Sequence, residues 1–461
     1  MSFQPPAGLM VSVSGVRGRV GESLTPAVVT RFAAAFGTYL KAVVGGRPLV
    51  VVARDSRTSG PMFVRLVTGA LQAVGTGVVD VGLVPTPTAL LAVEQLGAAG
   101  GIIVTASHNP VEWNALKLAS GSGMFLDADE SRAMRAYLDD GAQRWAGWDA
   151  IGVAGTDEEA VERHIAALLE LAFVDVDGLR ARRFRVALDG IRGAGIMLLP
   201  PLLEAFGCEV VGLNMEPDGH FPRPPEPVAE NLGDLGALVR ETHADLGLAT
   251  DPDGDRLALV DGRGRAVGED FTLALAATLV LRHRPGPVVT NLSTSQVVAD
   301  VAEAAGVHFE RAPVGEINVA RRMQSAGAVV GGEGNGGVIL PDVHLTRDAG
   351  VAAALVLQLL LETGEPLEGL VAAHRTYRIL KDKVPRPDAP LDVVYEQLEE
   401  ELAAPAVDRQ DGLWLSWPDE RRWLHFRPSG TEPILRMIAE APEEDEARAL
   451  IERVRVTLDA D

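Results

Sequence analysis

One alternation of apolar and polar stretches recurs three times along the chain. Residues 49–53 form an apolar run suited to a buried strand. A polar loop (54–57), an amphipathic helical stretch (62–73), Gly75 and a second apolar run (78–81) follow. The same order returns at 184–188, 189–192, 196–206, Gly207 and 209–213, and again at 288–289, 291–295, 296–305 and Gly306. Short apolar runs alternating with helices predict parallel βαβ units, and three copies predict three related mixed α/β domains. Any α/β chain resembles itself to some degree, so the repeat indicates the class of fold and nothing finer. Joints at 148–157, 260–269 and 363–378 predict domains over 1–152, 153–260 and 261–372. Beyond a proline-rich stretch (384–390) the pattern changes to a helix (391–402), strands at 413–417, 423–426 and 434–439, and a closing helix from 443. That predicts a fourth, α+β domain over 373–461.

Composition narrows the class. The 461 residues, 47% hydrophobic and 23% charged, have the balance of a globular protein, and at roughly 150 residues per domain they suffice for about three or four. Cys208 is the single cysteine, which rules out an intramolecular disulfide and argues against a thiolate zinc site. A reducing, cytoplasmic setting is expected. Residues 1–10 lack the basic-then-apolar order of a signal peptide, and apolar stretches such as 351–361 are too short to span a bilayer. With 42 Lys+Arg against 64 Asp+Glu the net charge is -22, which disfavours nucleic acid and anionic membranes as partners. A small-molecule substrate and a monomer or homodimer are expected instead. A phosphorylated substrate would require the few cations to gather in one cleft.

Four loops carry candidate chemistry. The first, Thr105-Ala106-Ser107-His108-Asn109-Pro110, follows the apolar run 101–104, so Ser107 stands where the carboxyl end of a parallel strand opens to ligand. A serine there is a nucleophile or phosphate carrier, or a polar turn residue satisfying its own backbone. Asn114 and Lys117 extend this site. The second loop, Asp251-Pro252-Asp253-Gly254-Asp255-Arg256, sets three carboxylates at alternate positions, which repel one another unless a hard cation joins them. A calcium EF-hand loop would need glycine sixth and glutamate twelfth, where Arg256 and Gly262 stand; magnesium suits the loop better. The third, Gly332-Glu333-Gly334-Asn335-Gly336-Gly337, matches GxGxxG, but the strand-like 338–340 follows it rather than a helix. That rejects a dinucleotide loop and leaves hydroxyl recognition or a plain hairpin turn. The fourth, Arg427-Pro428-Ser429-Gly430-Thr431-Glu432-Pro433, with Arg436 beyond it, combines a guanidinium, two hydroxyls and backbone donors suited to a phosphate dianion, or is an ordinary inter-strand turn.

These four motifs, in this order and over nearly the whole chain, resemble the α-D-phosphohexomutases, and Ser14-Gly15-Val16-Arg17-Gly18 resembles that family's N-terminal arginine loop. The resemblance implies four domains around a central cleft, the fourth of TATA-binding-protein-like type. It implies that Ser107 is the phosphoserine and that Asp251, Asp253 and Asp255 hold magnesium together with the seryl phosphate. Arg17 and Lys117 would act near the transferring group as the acid and base candidates, with His108 beside them. Arg256, Glu333 and Asn335 would contact substrate, Glu333 and Asn335 through sugar hydroxyls. Arg427, Ser429, Gly430, Thr431 and Arg436 would clamp the phosphate that stays put. The implied reaction interconverts hexose 6- and 1-phosphates through a hexose 1,6-bisphosphate, which also serves as activator. Asn335, Gly337, the segment Val314-Gly315-Glu316-Ile317-Asn318 and Asn114-Ala115-Leu116-Lys117 depart from many phosphomannomutase/phosphoglucomutase members and look closest to phosphoglucosamine mutase-like ones. Glucosamine phosphate is therefore the expected substrate. Mannose or glucose phosphates are the alternative, and a phosphosugar phosphatase a more distant one. Intact Ser107 and the three aspartates argue against an inactive binding module.

Overall fold

The computed structural model describes residues 3–387, 389–428 and 434–459, so Ser429, Gly430 and Thr431 of the expected phosphate clamp lie outside the described residues. Among the described residues the chain forms four sheets. In the first, Leu49–Arg54 lies between parallel Gly77–Leu83 and Gly100–Val104, and Trp113–Ser120 runs antiparallel beside Gly100–Val104. In the second, Arg185–Asp189 lies between parallel Glu209–Leu213 and Leu246–Thr250, with Leu257–Val260 antiparallel. In the third, Val288–Asn291 lies between parallel Phe309–Ala312 and Val330–Glu333, with Gly337–Leu340 antiparallel. The repeat is thus one of topology. Each of the first three candidate loops leaves the same strand of its domain, the third parallel one, and leads into the antiparallel one.

The fourth sheet is wholly antiparallel, in the order Arg378–Pro385, Ile434–Ala441, Arg422–Pro428, Leu413–Trp417, Ala406–Asp408. Helices Leu391–Leu402 and Glu444–Asp459 pack on its apolar face, where Leu398, Leu415, Phe426 and Met437 are fully buried. This is the expected α+β, TATA-binding-protein-like fourth domain.

The packing holds the loops in fixed relation. One apolar core runs through the second and third domains, joining Leu168 and Leu246 to Leu279 and Leu355. At the meeting of the first three domains, His164 Nε2 and His344 Nε2 contact Asp348 Oδ2 at 2.7 and 2.9 Å, and Thr88 Oγ1 meets His164 Nδ1 at 2.9 Å. Asp348 Oδ1 also accepts from the backbone N–H groups of Gly350 and Val351, capping the buried helix Ala349–Thr363. Among the described residues one helix, Pro26–Val44, is long and apolar enough to cross a membrane. Its Val29, Phe32, Ala33 and Phe36 are fully buried in the first-domain core.

Two expected elements differ. The helix expected over 196–206 is split into a 3-10 turn, Ala194–Met197, and an α-helix, Leu199–Ala205. Pro200 and Pro201 lack N–H donors and clash with the preceding turn, so they are accommodated only at a helix start. The stretch 378–385, for which no element is expected between the joint (363–378) and the proline-rich run (384–390), is an edge strand paired along its length with Ile434–Ala441. Pro385 is tolerated at its end because an edge strand leaves one row of backbone donors unused.

Candidate active site

Ser107 adopts φ 47°, the left-handed region unusual for a residue with a Cβ. Its N–H donates to Thr105 Oγ1 at 3.0 Å and its hydroxyl to Asp251 Oδ2 at 3.0 Å. The phosphate-carrier candidate and the acidic loop are therefore in direct contact across 144 residues of chain. What bends the first loop is Arg57, fully buried, whose guanidinium donates to the carbonyl oxygens of Ser107, Asn109, Pro110 and Trp113 and pairs with Asp55 at 3.0 Å. The polar stretch at 54–57 was visible in the sequence, but nothing local assigns it this task.

The three aspartates are fully buried, and one carboxylate oxygen from each lies within 4.8 Å of the others. Asp251 Oδ1 accepts from the N–H groups of Asp255 and Arg256 at 3.2 and 3.3 Å. Asp253 Oδ2 accepts from Thr86 Oγ1 and Lys117 Nζ, each at 2.8 Å. Asp253 Oδ1 and Asp255 Oδ1 are buried without a hydrogen-bond partner, which a protein rarely tolerates unless something else binds there. Burial and the adjacent Asp255 and Asp253 charges push Asp251 well above the usual carboxylate range. Burial also pushes Asp253 upward, but Lys117 and hydrogen bonds from Asp251, Lys117 and Thr86 outweigh it and hold it low. Orphaned oxygens from hard ligands in a crowded, partly frustrated carboxylate group fit a magnesium ion.

Cations surround this centre. Burial alone would lower Lys117, but Asp253, Asp255 and Glu316 together raise it above its ordinary value, so it is an ammonium. Arg17 Nη1 donates to Asn109 Oδ1 at 3.0 Å. His108 Nδ1 is 3.4 Å from Ser107 Oγ, and burial with the nearby Arg256 and Arg17 charges pushes its pKa down to about 2. It is a neutral imidazole and a weak base. Arg256 is buried and pairs with Glu226 at 3.1 Å. Asn114, read as extending the site, is buried and donates to Ser59 Oγ at 2.8 Å.

The third loop is a hairpin turn in which Glu333 pairs with Gly337 across antiparallel strands. Glu333 is buried and accepts from Asn291 Nδ2 at 2.8 Å and the Gly315 N–H at 3.1 Å. It also pairs at 2.7 Å with Arg347, a residue that no motif had marked. Burial pushes Glu333 up, but Arg347 and these hydrogen bonds outweigh it and keep it ionised. Asn335 Nδ2 is 3.4 Å from Glu333 Oε2 and its Oδ1 accepts from the Gly337 N–H.

On the fourth domain, Arg427 pairs with Asp411 at 3.1 Å. Arg436 stands directly opposite Arg427 on one side and Lys383 on the other, so three cations share one row of the sheet's helix-free face. Lys383 was missed because its strand was. Among the described residues no hydrogen bond or ion pair links this row to the serine and aspartate centre. The face that bears it meets the hairpin across a cavity of about 190 Å³ lined by Glu269, Asp270, Ser293, Gly334, Ile379 and Lys381. Glu440 fastens the two domains, accepting from the Gln296 N–H at 2.7 Å and from Ser295 Oγ.

Models of the phosphoglucomutase/phosphomannomutase family match in sequence order: alpha/beta/alpha domain I over residues 9–145, domain II over 162–264, domain III over 268–377 and the C-terminal domain over 380–456. A Methanopyrus kandleri protein named a probable phosphoglucosamine mutase is 39% identical, with 96% of each chain covered. A Thermococcus kodakarensis protein named phosphoglucomutase/phosphomannomutase is 37% identical, covering 96% of this chain and 97% of its own. The crystal structure of a phosphoglucomutase/phosphomannomutase family protein from Burkholderia thailandensis superposes with TM-score 0.85 at 26% identity, over 100% of this chain and 98% of that one.

Proposed function

This chain belongs to the phosphoglucomutase/phosphomannomutase family of phosphohexomutases, and on that premise we propose that it interconverts the 6- and 1-phosphates of glucosamine through a phosphorylated Ser107 and a hexose 1,6-bisphosphate. The carrying observation is the 3.0 Å contact between Ser107 Oγ and Asp251 beside two buried carboxylate oxygens that lack hydrogen-bond partners. The preference for glucosamine is supported by the name of the 39% identical relative. The 37% identical relative supports glucose and mannose phosphates as the second reading.

In this reading the seryl phosphate is the resting donor. Asp251, Asp253 and Asp255 hold magnesium, which supplies charge neutralisation for the phosphoryl group. Phosphoryl transfer depends mainly on positioning and on opposing the oxygens' negative charge. Lys117 and Arg17 stand beside the carrier to do this, and neutral His108 offers a hydrogen-bonding nitrogen at the seryl oxygen. Glu333 and Asn335 receive sugar hydroxyls from the hairpin. The cationic row of the fourth domain holds the second phosphate while the first is transferred. In the first transfer the attacking sugar hydroxyl gives up its proton and Ser107 Oγ, as the leaving oxygen, takes one up. After the bisphosphate turns over, Ser107 Oγ–H gives up that proton as it receives the other phosphoryl group and the departing sugar oxygen gains one, so the cycle consumes no net proton.

A coupled assay with glucosamine, glucose and mannose phosphates, magnesium and trace hexose 1,6-bisphosphate tests this. Interconversion of glucosamine 6- and 1-phosphate with the highest kcat/KM is expected. Failure with all three sugars rejects a mutase, and release of inorganic phosphate without isomerisation would point to a phosphatase.

A further inference from the structure

Arg347 lies buried among three carboxylates. Its Nη2 is 2.6 Å from Asp255 Oδ2, its Nη1 2.7 Å from Glu333 Oε2 and its Nε 3.3 Å from Glu316 Oε2. Glu316 holds the strand in place from behind, accepting from the Arg347 N–H at 3.0 Å and from Thr346 Oγ1. Buried charges are costly unless the geometry is good and the remaining atoms are satisfied. A planar guanidinium spreads its donors widely enough to hydrogen-bond Asp255 and Glu333 from separate nitrogens while Glu316 stays within ion-pair distance of Nε; a lysine ammonium gathers its three N–H groups at one point and lacks that reach.

Each contact constrains a different loop. On Asp255, Arg347 occupies Oδ2, which leaves Oδ1 without a hydrogen bond and with only Arg256 Nε nearby, at 3.7 Å. On Glu333, Arg347 occupies Oε2 while Asn291 and Gly315 occupy Oε1, so the carboxylate is fixed in one rotamer and accepts hydrogen bonds only. The space for this arginine comes from Gly337. A Cβ added there would stand 2.3 Å from Arg347 Cδ, well inside contact distance. Gly337 is not among the glycines of positive φ, so what demands glycine here is the arginine's stem and not the backbone angle.

We propose that Arg347 is a positioning residue, seated by the missing side chain at Gly337, that sets the hydroxyl-recognising Glu333 and the cation-holding Asp255 in one rigid frame. Sugar recognition and magnesium binding are then coupled through a single guanidinium. The sugar half of this inference rests on the mutase reading above; the magnesium half does not.

The test uses full-length Arg347→Ala, Gly337→Ala and the double variant. Melting temperatures check folding. Calorimetric titration with magnesium alone gives Kd, and steady-state assays with glucosamine 6-phosphate at saturating magnesium give KM and kcat. Loss of a residue that orients a metal ligand typically weakens the metal by about tenfold or more, and a Kd increase of that order is expected for both single variants. KM should rise at least about fivefold with kcat changed less, whereas a merely structural defect would lower the active fraction and leave KM in place. The double variant should be little worse than Arg347→Ala, because without the arginine stem the added methyl meets only Asn335 Oδ1, at 3.1 Å. If Arg347→Ala does not fold, Gly337→Ala, which keeps every charge, carries the test. Magnesium Kd and KM within twofold of wild type in Gly337→Ala, or losses that simply add in the double variant, would overturn the frame. A wild-type protein that isomerises no sugar phosphate would remove the mutase reading instead, and the magnesium titration would still decide for or against Arg347.

Discussion

Arg57 Nη2 donates to the carbonyl oxygen of Ser107 at 2.6 Å, fifty residues further along the chain. The same guanidinium gathers Asn109, Pro110 and Trp113, and its charge is answered by Asp55. Removing one member of a buried ion pair strands the other, at a cost of about 3–5 kcal/mol. Arg57→Ala should therefore unfold at markedly lower denaturant. Arg57→Lys should fold but present Ser107 poorly, because one ammonium cannot span four carbonyls. Intact-mass measurement of seryl phosphate after incubation with hexose bisphosphate checks this. Wild-type occupancy and kcat in the lysine variant would dismiss Arg57 from the site.

The left-handed backbone at Ser107 separates chemistry from stability. A non-glycine residue there bears about 1–2 kcal/mol of strain, while the hydroxyl's bond to Asp251 contributes about 1 kcal/mol. In Ser107→Gly the two terms nearly cancel. The variant should melt within a few degrees of wild type and have no mutase turnover. Measurable isomerisation by Ser107→Gly would remove the serine from its proposed role.

How far the chain could be read without coordinates depended on the range of each interaction. The βαβ repeats were legible because apolar periodicity is local, and the four loops because their residue types cluster within six or seven positions. What sequence did not reveal is that the first three loops leave equivalent strands, since strand order is set by pairing between distant segments. Arg347 escaped for the same reason, a single arginine in a stretch that no motif marks. Arg57 and Glu316 lie in segments that the sequence does single out, but their tasks are given only by partners elsewhere in the chain. Lys383 was hidden differently, by prolines nearby that suggested a linker where an edge strand forms.

Asp270 gives the third-domain face a pH dependence whose sign can be worked out. Burial raises its pKa to about 8; a hydrogen bond from the Ser295 N–H opposes the shift, and the Glu440 and Glu269 charges add to it. In the unfolded chain an aspartate titrates near 3.9, so between about pH 4 and 8 the folded protein keeps a proton that the unfolded chain has released. Stability from this group is full below pH 4 and is lost as pH rises toward 8. Asp270→Asn retains the Oδ1 acceptor for Ser295 and has no proton to give up. Urea denaturation from pH 5 to 9 should show a shallower decline for the variant and greater stability at pH 8. Parallel curves for the two proteins would exclude Asp270 as the source.

Lys383, Arg436 and Arg427 face one another across three adjacent strands. Like charges directly opposite in an antiparallel sheet destabilise it by a few tenths of a kcal/mol to about 1 kcal/mol, and Asp411 answers only the Arg427 end of the row among the contacts described. A bound phosphate dianion would relieve that repulsion, so ligand and free protein should respond to loss of a cation in opposite directions. Lys383→Ala is expected to raise the melting temperature of the unliganded protein slightly while raising KM for the sugar phosphate about fivefold at low salt. Because an exposed lysine acts through a screened field, the difference in KM should shrink as sodium chloride is raised toward 0.5 M, with kcat little changed throughout. If KM stays at the wild-type value at low salt, the row does not hold substrate phosphate and its repulsion must be answered in some other way.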